Sequence, residues 1–182
     1  MGAETLPVRM YLDQRGLFSP YQRHVEMLNV TAKGKVLIIG PGLEEIAIIE
    51  PAISNGDVEE MILVGENPLF LESALAVYRA NYHIPMQVLG LSFGAFFDAN
   101  PSETFDTITY FGRCGNQHLE ELLGELATRL NPLGKAYLTI NGQPPFLISG
   151  APRYQLTVVP DIPPNSNYDI LPDYYGVVLQ RV

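Results

Sequence analysis

The strongest constraint on this chain is one short run of residues. Val36-Leu37-Ile38-Ile39 leads directly into Gly40-Pro41-Gly42. An apolar run with no polar face fits a strand covered on both sides. Such strands belong to parallel sheets, whose neighbours must be joined by crossovers, usually helices. The flanking sequence supplies them. Ile46, Ile49 and Ile53 lie at helical spacing after the glycine turn, and Asn55-Gly56 is a stop signal. Pro51 is expected to kink or end that helix, because it lacks the N–H the ladder needs. Residues 61–64 form a second apolar strand. Asn67-Pro68 reads as an N-cap followed by proline at the first helical position. Leu71, Ala74, Leu75 and Tyr78 give the next helix its buried stripe.

The alternation continues with strands over 86–89 and 105–110, where Ile108 and Tyr110 alternate against Thr107 and Thr109. Leu119, Leu122, Leu123, Leu126 and Leu130 mark a further helix, ended by Asn131-Pro132-Leu133-Gly134, and 136–140 is a fifth strand. An earlier helix starts at Ser19-Pro20 and runs to about Leu28. After Ile140 the style changes. Stretches 142–152 and 160–172 are rich in Pro, Gly and Asn, and between and after them lie β-like runs 154–159 and 174–182. No helical pattern separates those two runs, so they are expected to pair antiparallel, with Gly176 as a candidate bulge. The reading is an α/β fold: a Rossmann-like, mostly parallel seven-stranded sheet with helices on both faces and an antiparallel C-terminal strand pair. A length of 182 residues argues for one domain, 1–182. Its parts are an N-terminal helical segment (1–33), a core (34–141) and proline-rich loops with the strand pair (142–182).

Composition narrows the partners. Twenty acidic residues against 11 basic ones leave a formal charge of −9. Such a surface repels phosphate backbones, so nucleic acid is not expected as a partner. No apolar run approaches the roughly 18 residues of a membrane span. No basic region followed by an apolar stretch suggests a secretory signal. Cys114 is the lone cysteine, which fits a reducing compartment, and the expectation is a cytoplasmic protein. His24, His83 and His118 show no ligand spacing, so no metal is expected.

Three stretches carry a resemblance. Val36 to Gly42 resembles the first motif of class I S-adenosylmethionine (SAM) methyltransferases, a strand running into a glycine loop. Phe105-Asp106-Thr107-Ile108 resembles their fourth-strand motif, and Leu130-Asn131-Pro132-Leu133-Gly134 their turn before the fifth strand. Together these cover residues 34–141. Phe18-Ser19-Pro20-Tyr21-Gln22 is similar to spermidine synthases, which share the fold. Aminopropyl transfer there uses an aspartate after the fourth strand, and none lies between Thr107 and Gln117. A nicotinamide site is disfavoured, since the third glycine of the dinucleotide fingerprint is missing.

The resemblance implies SAM as cofactor and places its contacts. Gly40, Pro41 and Gly42 would face the methionine part, where glycines permit close backbone approach. The family's ribose-binding acid falls at Gly65, with Glu66 one residue late, so Glu66 reads either as ribose ligand or as a loop acid, beside Asn67. After the third strand, Ser92 could hydrogen-bond the base. Leu91 and Phe93 could pack on it, although as sequence they read as core. Phe111 completes the cofactor set. Residues past the fourth strand face the transferred group, so Tyr110, Arg113 and His118 are the catalytic candidates, with Cys114 weighed beside them. His118 has the ring pKa suited to a general base; it reads equally as an exposed first-turn residue. Departures from the family stand at Ile38, Glu44, Gly65 and Leu91.

Two accounts follow. In one, the chain is a small-molecule methyltransferase, with the N-terminal helix and segments 142–153 and 160–173 as a lid and Tyr168, Tyr174 and Tyr175 lining the substrate site. In the other, it is a non-catalytic binding or scaffolding protein on a degenerate methyltransferase fold, with the C-terminal tyrosines and prolines serving a partner, such as a second copy in a homodimer.

Overall fold

The computed structural model describes residues 30–40, 43–114, 119–141, 154–159 and 174–182. The helix expected over 19–28 and the loops 142–153 and 160–173 with Tyr168 lie outside the described residues. Strand β1 (Gly34–Ile39) is followed by α1 (Leu43–Ser54), β2 (Val58–Val64), α2 (Pro68–Asn81) and β3 (Met86–Leu89). Then come α3 (Phe93–Ala99), β4 (Phe105–Cys114), α4 (Leu119–Arg129), β5 (Leu130–Asn141), β6 (Tyr154–Val159) and β7 (Tyr174–Arg181).

All seven strands form one sheet in the order β3-β2-β1-β4-β5-β7-β6. The β1–β2, β1–β4, β2–β3 and β4–β5 pairings are parallel. The last strand inserts between β5 and β6 and runs antiparallel to both. The chain therefore winds outward from β1 to β3, returns across the sheet to β4, and continues the other way. That reversal leaves a crevice between β1 and β4, where open α/β sheets place their ligands.

Burial explains the apolar runs. Val36, Ile38, Met61 and Leu63 point to one face, where Ile49 and Ile53 of α1 and Leu75 and Tyr78 of α2 cover them. Leu37, Ile39, Ile62 and Val64 point to the other, beneath Phe96 and Phe97 of α3 and Leu119, Leu122, Leu123 and Leu126 of α4. Helices thus lie on both faces. Leu71 and Ala74 fall among side chains outside the description. Burial pushes the Tyr78 phenol above its usual range, with the Glu50 charge adding to it.

Three expectations change and one element is added. Helix α1 runs through Pro51 to Ser54. The exposed proline carbonyl still accepts the Asn55 N–H at 3.0 Å, and Ile49 and Ile53, buried on either side, hold both halves against the sheet. The helix then closes at Asn55-Gly56 as expected: Gly56 N–H donates to Ile53 and Asp57 N–H to Ala52, a Schellman pattern. Gly176 is no bulge, because its pairing with Thr139 and Val159 is continuous on both sides. Thr107 and Thr109 are as buried as Ile108, since β4 is a central strand covered on both faces. Thr107 meets its need for a partner by bonding the Lys33 backbone. Finally, α3 occupies a stretch to which no element is assigned from the sequence. Ser92 caps it by accepting the Ala95 N–H, and Phe96 and Phe97 bury its inner face.

Candidate functional site at the carboxyl ends of β1 to β4

The ends of β1, β2 and β3 are held level by backbone bonds one step past each strand. Gly40 N–H donates to Val64 at 2.7 Å, and Gly65 N–H to Leu89 at 3.1 Å. Gly40 sits at φ +60, a left-handed conformation that glycine adopts without strain, and this turns the chain away from the sheet. A Cβ there would meet no atom within 4 Å. The glycine is therefore required by the turn, and the space beside it stays open.

That space belongs to a cleft of about 510 Å³ lined by Ile39, Gly40, Val64, Gly65, Glu66, Asn67, Leu91, Ser92, Phe93 and Tyr110. The segments after β1, β2 and β3 leave the carboxyl ends of parallel strands, and Tyr110 lies on β4 beside Ile39, the last residue of β1. Five residues singled out in the sequence, Gly40, Glu66, Asn67, Ser92 and Tyr110, are brought together there. Glu66 is exposed past the end of β2, directly after Gly65, and lines the cleft. Ser92 Oγ accepts the Ala95 N–H at 3.3 Å as the cap of α3. Tyr110 is half-buried, its ring 6.0 Å from that of Phe93.

Pro41, Gly42 and His118 lie outside the described residues. Phe111, Arg113 and Cys114 are on β4 beyond Tyr110, but their side chains, like that of Glu44, fall outside the description. Two side chains read as core are instead walls: Leu91 and Phe93 are each 37% exposed and face the cleft. Ser92 before an apolar stretch is a cap signal, and Phe96 and Phe97 are the residues one turn on that fill the core. Ile38, where the resembled family usually has an acid, is fully buried in the α1–α2 cluster and so contributes packing. Among the described residues, no group of three His, Cys, Asp or Glu side chains comes together to hold a metal. Among them too, no helix is long and apolar enough to cross a membrane.

No protein-family model and no curated protein matches the sequence. Solved structures do match. A protein assigned as a SAM-dependent methyltransferase from Streptococcus mutans superposes with a TM-score of 0.61 at 16% identity over 91% of this chain. The chain spans 50% of that protein's length. A methyltransferase from Pyrococcus furiosus gives 0.56 at 17% identity, covering 91% of this chain and 84% of its own. An rRNA methylase from Streptococcus thermophilus gives 0.56 at 12%, covering 100% and 99%. The fold is that of class I SAM-dependent methyltransferases. At these identities the likeness speaks for architecture alone, and the cleft lies at the carboxyl ends of the strands, where such a sheet gathers its loops.

Proposed function

We propose that the chain binds SAM in this cleft and transfers its methyl group to a small molecule. The observation that carries the reading is the open cleft at the switch between β1 and β4, lined by Gly40, Glu66, Leu91, Ser92 and Phe93. The lining fits the ligand's chemistry. A ribose diol offers two donors, and Glu66 is a carboxylate acceptor. An amino-acid tail needs close backbone approach, and no atom stands near the Gly40 Cβ position. A base needs apolar surface, and Leu91 and Phe93 present it. Bound SAM supplies an electrophilic methyl on a sulfonium.

The protein's part is then chiefly positional, since methyl transfer needs nucleophile and methyl group held in line. Tyr110 lines the cleft and, with Arg113 and His118 after it, forms the proposed catalytic set. Although one matched structure is an rRNA methylase, the −9 charge opposes a nucleic-acid substrate here. The single cysteine supports a cytoplasmic setting. A scaffolding role is the second reading, favoured by Gly65 and Leu91, which line the cleft without a polar side chain.

Calorimetric titration with SAM and S-adenosylhomocysteine tests both. Micromolar binding, weakened about tenfold by Glu66→Ala through loss of a charge-assisted bond, is the expected result. No binding near millimolar ligand by folded protein overturns the cofactor reading and leaves the scaffold, whose homodimer light scattering would detect.

A further inference from the structure

Two walls of the cleft are joined behind its lining, at two points. The Gly65 N–H donates to the Leu89 carbonyl at 3.1 Å. Beyond that bond the ring of Pro68 lies against Gly90. A Cβ on Gly90 would stand 3.0 Å from Pro68 Cγ, 3.3 Å from its Cβ and 3.4 Å from its Cδ. On one side, Glu66 and Asn67 lie between the two joined points; on the other, Leu91, Ser92 and Phe93 follow directly. Neither Pro68 nor Gly90 lines the cleft itself.

Gly90 is not a glycine for the sake of its own backbone. Positive φ among the described glycines occurs at Gly34, Gly40 and Gly56, and Gly90 is not one of them. What it supplies is room for the proline ring. A Cβ at this distance makes its neighbour give by a few tenths of an ångström. The ring cannot swing aside as a longer side chain would, because it closes onto the backbone. Pro68 also opens α2, and Leu75 and Tyr78 of that helix are buried against the sheet. Facing it, Leu89 ends β3 and is paired with Val64. The part left to yield is Glu66-Asn67, the short link between β2 and α2.

We propose that Gly90 is a positioning residue of the cleft. By letting the Pro68 ring close on the backbone after β3, it fixes the distance between the Glu66-Asn67 side and the wall of Leu91 and Phe93. The proposal rests on the adenosyl reading of the cleft, in which ribose and base meet these two sides. A bound nucleoside then senses their separation. Such sites depend on placement to within about 0.5 Å, and a Cβ at Gly90 imposes a shift of that order.

Calorimetry with S-adenosylhomocysteine tests this on the full chain, as parent, Gly90→Ala, Pro68→Ala and the double variant. Gly90→Ala should weaken binding about fivefold. Its melting temperature should stay within about 3 °C of the parent's, because alanine at an unstrained position restricts the unfolded chain and offsets the tight contact. Pro68→Ala takes the ring out of the contact and should weaken binding about threefold. In the double variant the new methyl occupies the space the ring leaves. Affinity should return to within about twofold of the parent, where independent effects would multiply to about fifteenfold. Undiminished affinity in a folded Gly90→Ala overturns the proposal, as does a double variant weakened about fifteenfold. A loss of affinity accompanied by a large fall in melting temperature overturns it too, since general loosening then accounts for the loss. If Gly90→Ala does not fold, Pro68→Ala decides, and unchanged affinity there overturns the proposal. A parent that binds no S-adenosylhomocysteine defeats the cofactor reading and the proposal with it, a result distinct from a parent that binds and variants that bind equally well.

Discussion

Gly34 and Gly40 bracket β1 with nearly the same backbone, φ +58 and +60, yet their surroundings differ. A Cβ on Gly34 would collide with the Asp106 carboxylate. That carboxylate is fixed, accepting from the Lys35 N–H and the Asn131 side-chain amide at 2.9 Å each. A Cβ on Gly40 would enter open space. A non-glycine residue in this region costs about 1–2 kcal/mol. Gly40→Ala should cost about 1 kcal/mol of stability, and Gly34→Ala about 3 kcal/mol, because Asp106 must also give up its bonds. Urea unfolding of the two variants checks this; equal costs would mean that Asp106 swings aside freely. The same scale shows the limit of reading by residue type. Leu91 and Phe93 have the composition of core, and only their position past the strand ends makes them walls of a cleft.

Among the elements, α1 runs on past the proline expected to kink or end it, and α3 adds a helix to a stretch with no element assigned from the sequence. Pro51 does not stop α1, because the buried Ile49 and Ile53 secure the helix on both sides. Its penalty remains, since a proline in a helix interior costs up to about 3 kcal/mol relative to alanine. Pro51→Ala, at an exposed position, should stabilise the protein by about 1–2 kcal/mol, seen as a higher melting temperature. Helix α3 has seven residues, too few to display a helical period, and forms through its cap and its packing. Arg129 of α4 secures its far end. The guanidinium donates to the carbonyls of Phe97 and Asn100 and to Glu125, and lies 4.9 Å from the Phe97 ring. Lysine cannot reproduce that fork. Arg129→Lys should cost about 2 kcal/mol and speed amide exchange in α3, loosening the element that carries Ser92 and Phe93.

For the whole molecule, the cleft exists because the ends of β1, β2 and β3 meet at one edge of the sheet, with Tyr110 of β4 beside them. A ligand that binds there stabilises only the folded chain. Ligand at 100 times its Kd adds about 2.7 kcal/mol, which at this length raises the melting temperature by roughly 5–10 °C. Thermal denaturation with S-adenosylhomocysteine should show that shift, reduced by Glu66→Ala at the same ligand concentration. An unchanged melting curve would speak for the scaffold.

The order of strands and helices was legible in the chain, because apolar runs and helical stripes record which faces must leave water. Strands 86–89 and 154–159 and the stripe Leu119 to Leu126 stand where periodicity puts them. The glycine turn after β1 was legible as well, since few residues other than glycine sit comfortably at that φ. Tertiary structure alone decided three things. It inserted β7 between β5 and β6, a pairing between segments far apart in sequence. It buried Thr107 and Thr109, whose polarity suggested an exposed face, because a central strand has no exposed face. It gathered Gly40, Glu66, Ser92 and Tyr110 around one cleft, because parallel crossovers bring every strand's carboxyl end to the same edge, which no local pattern records.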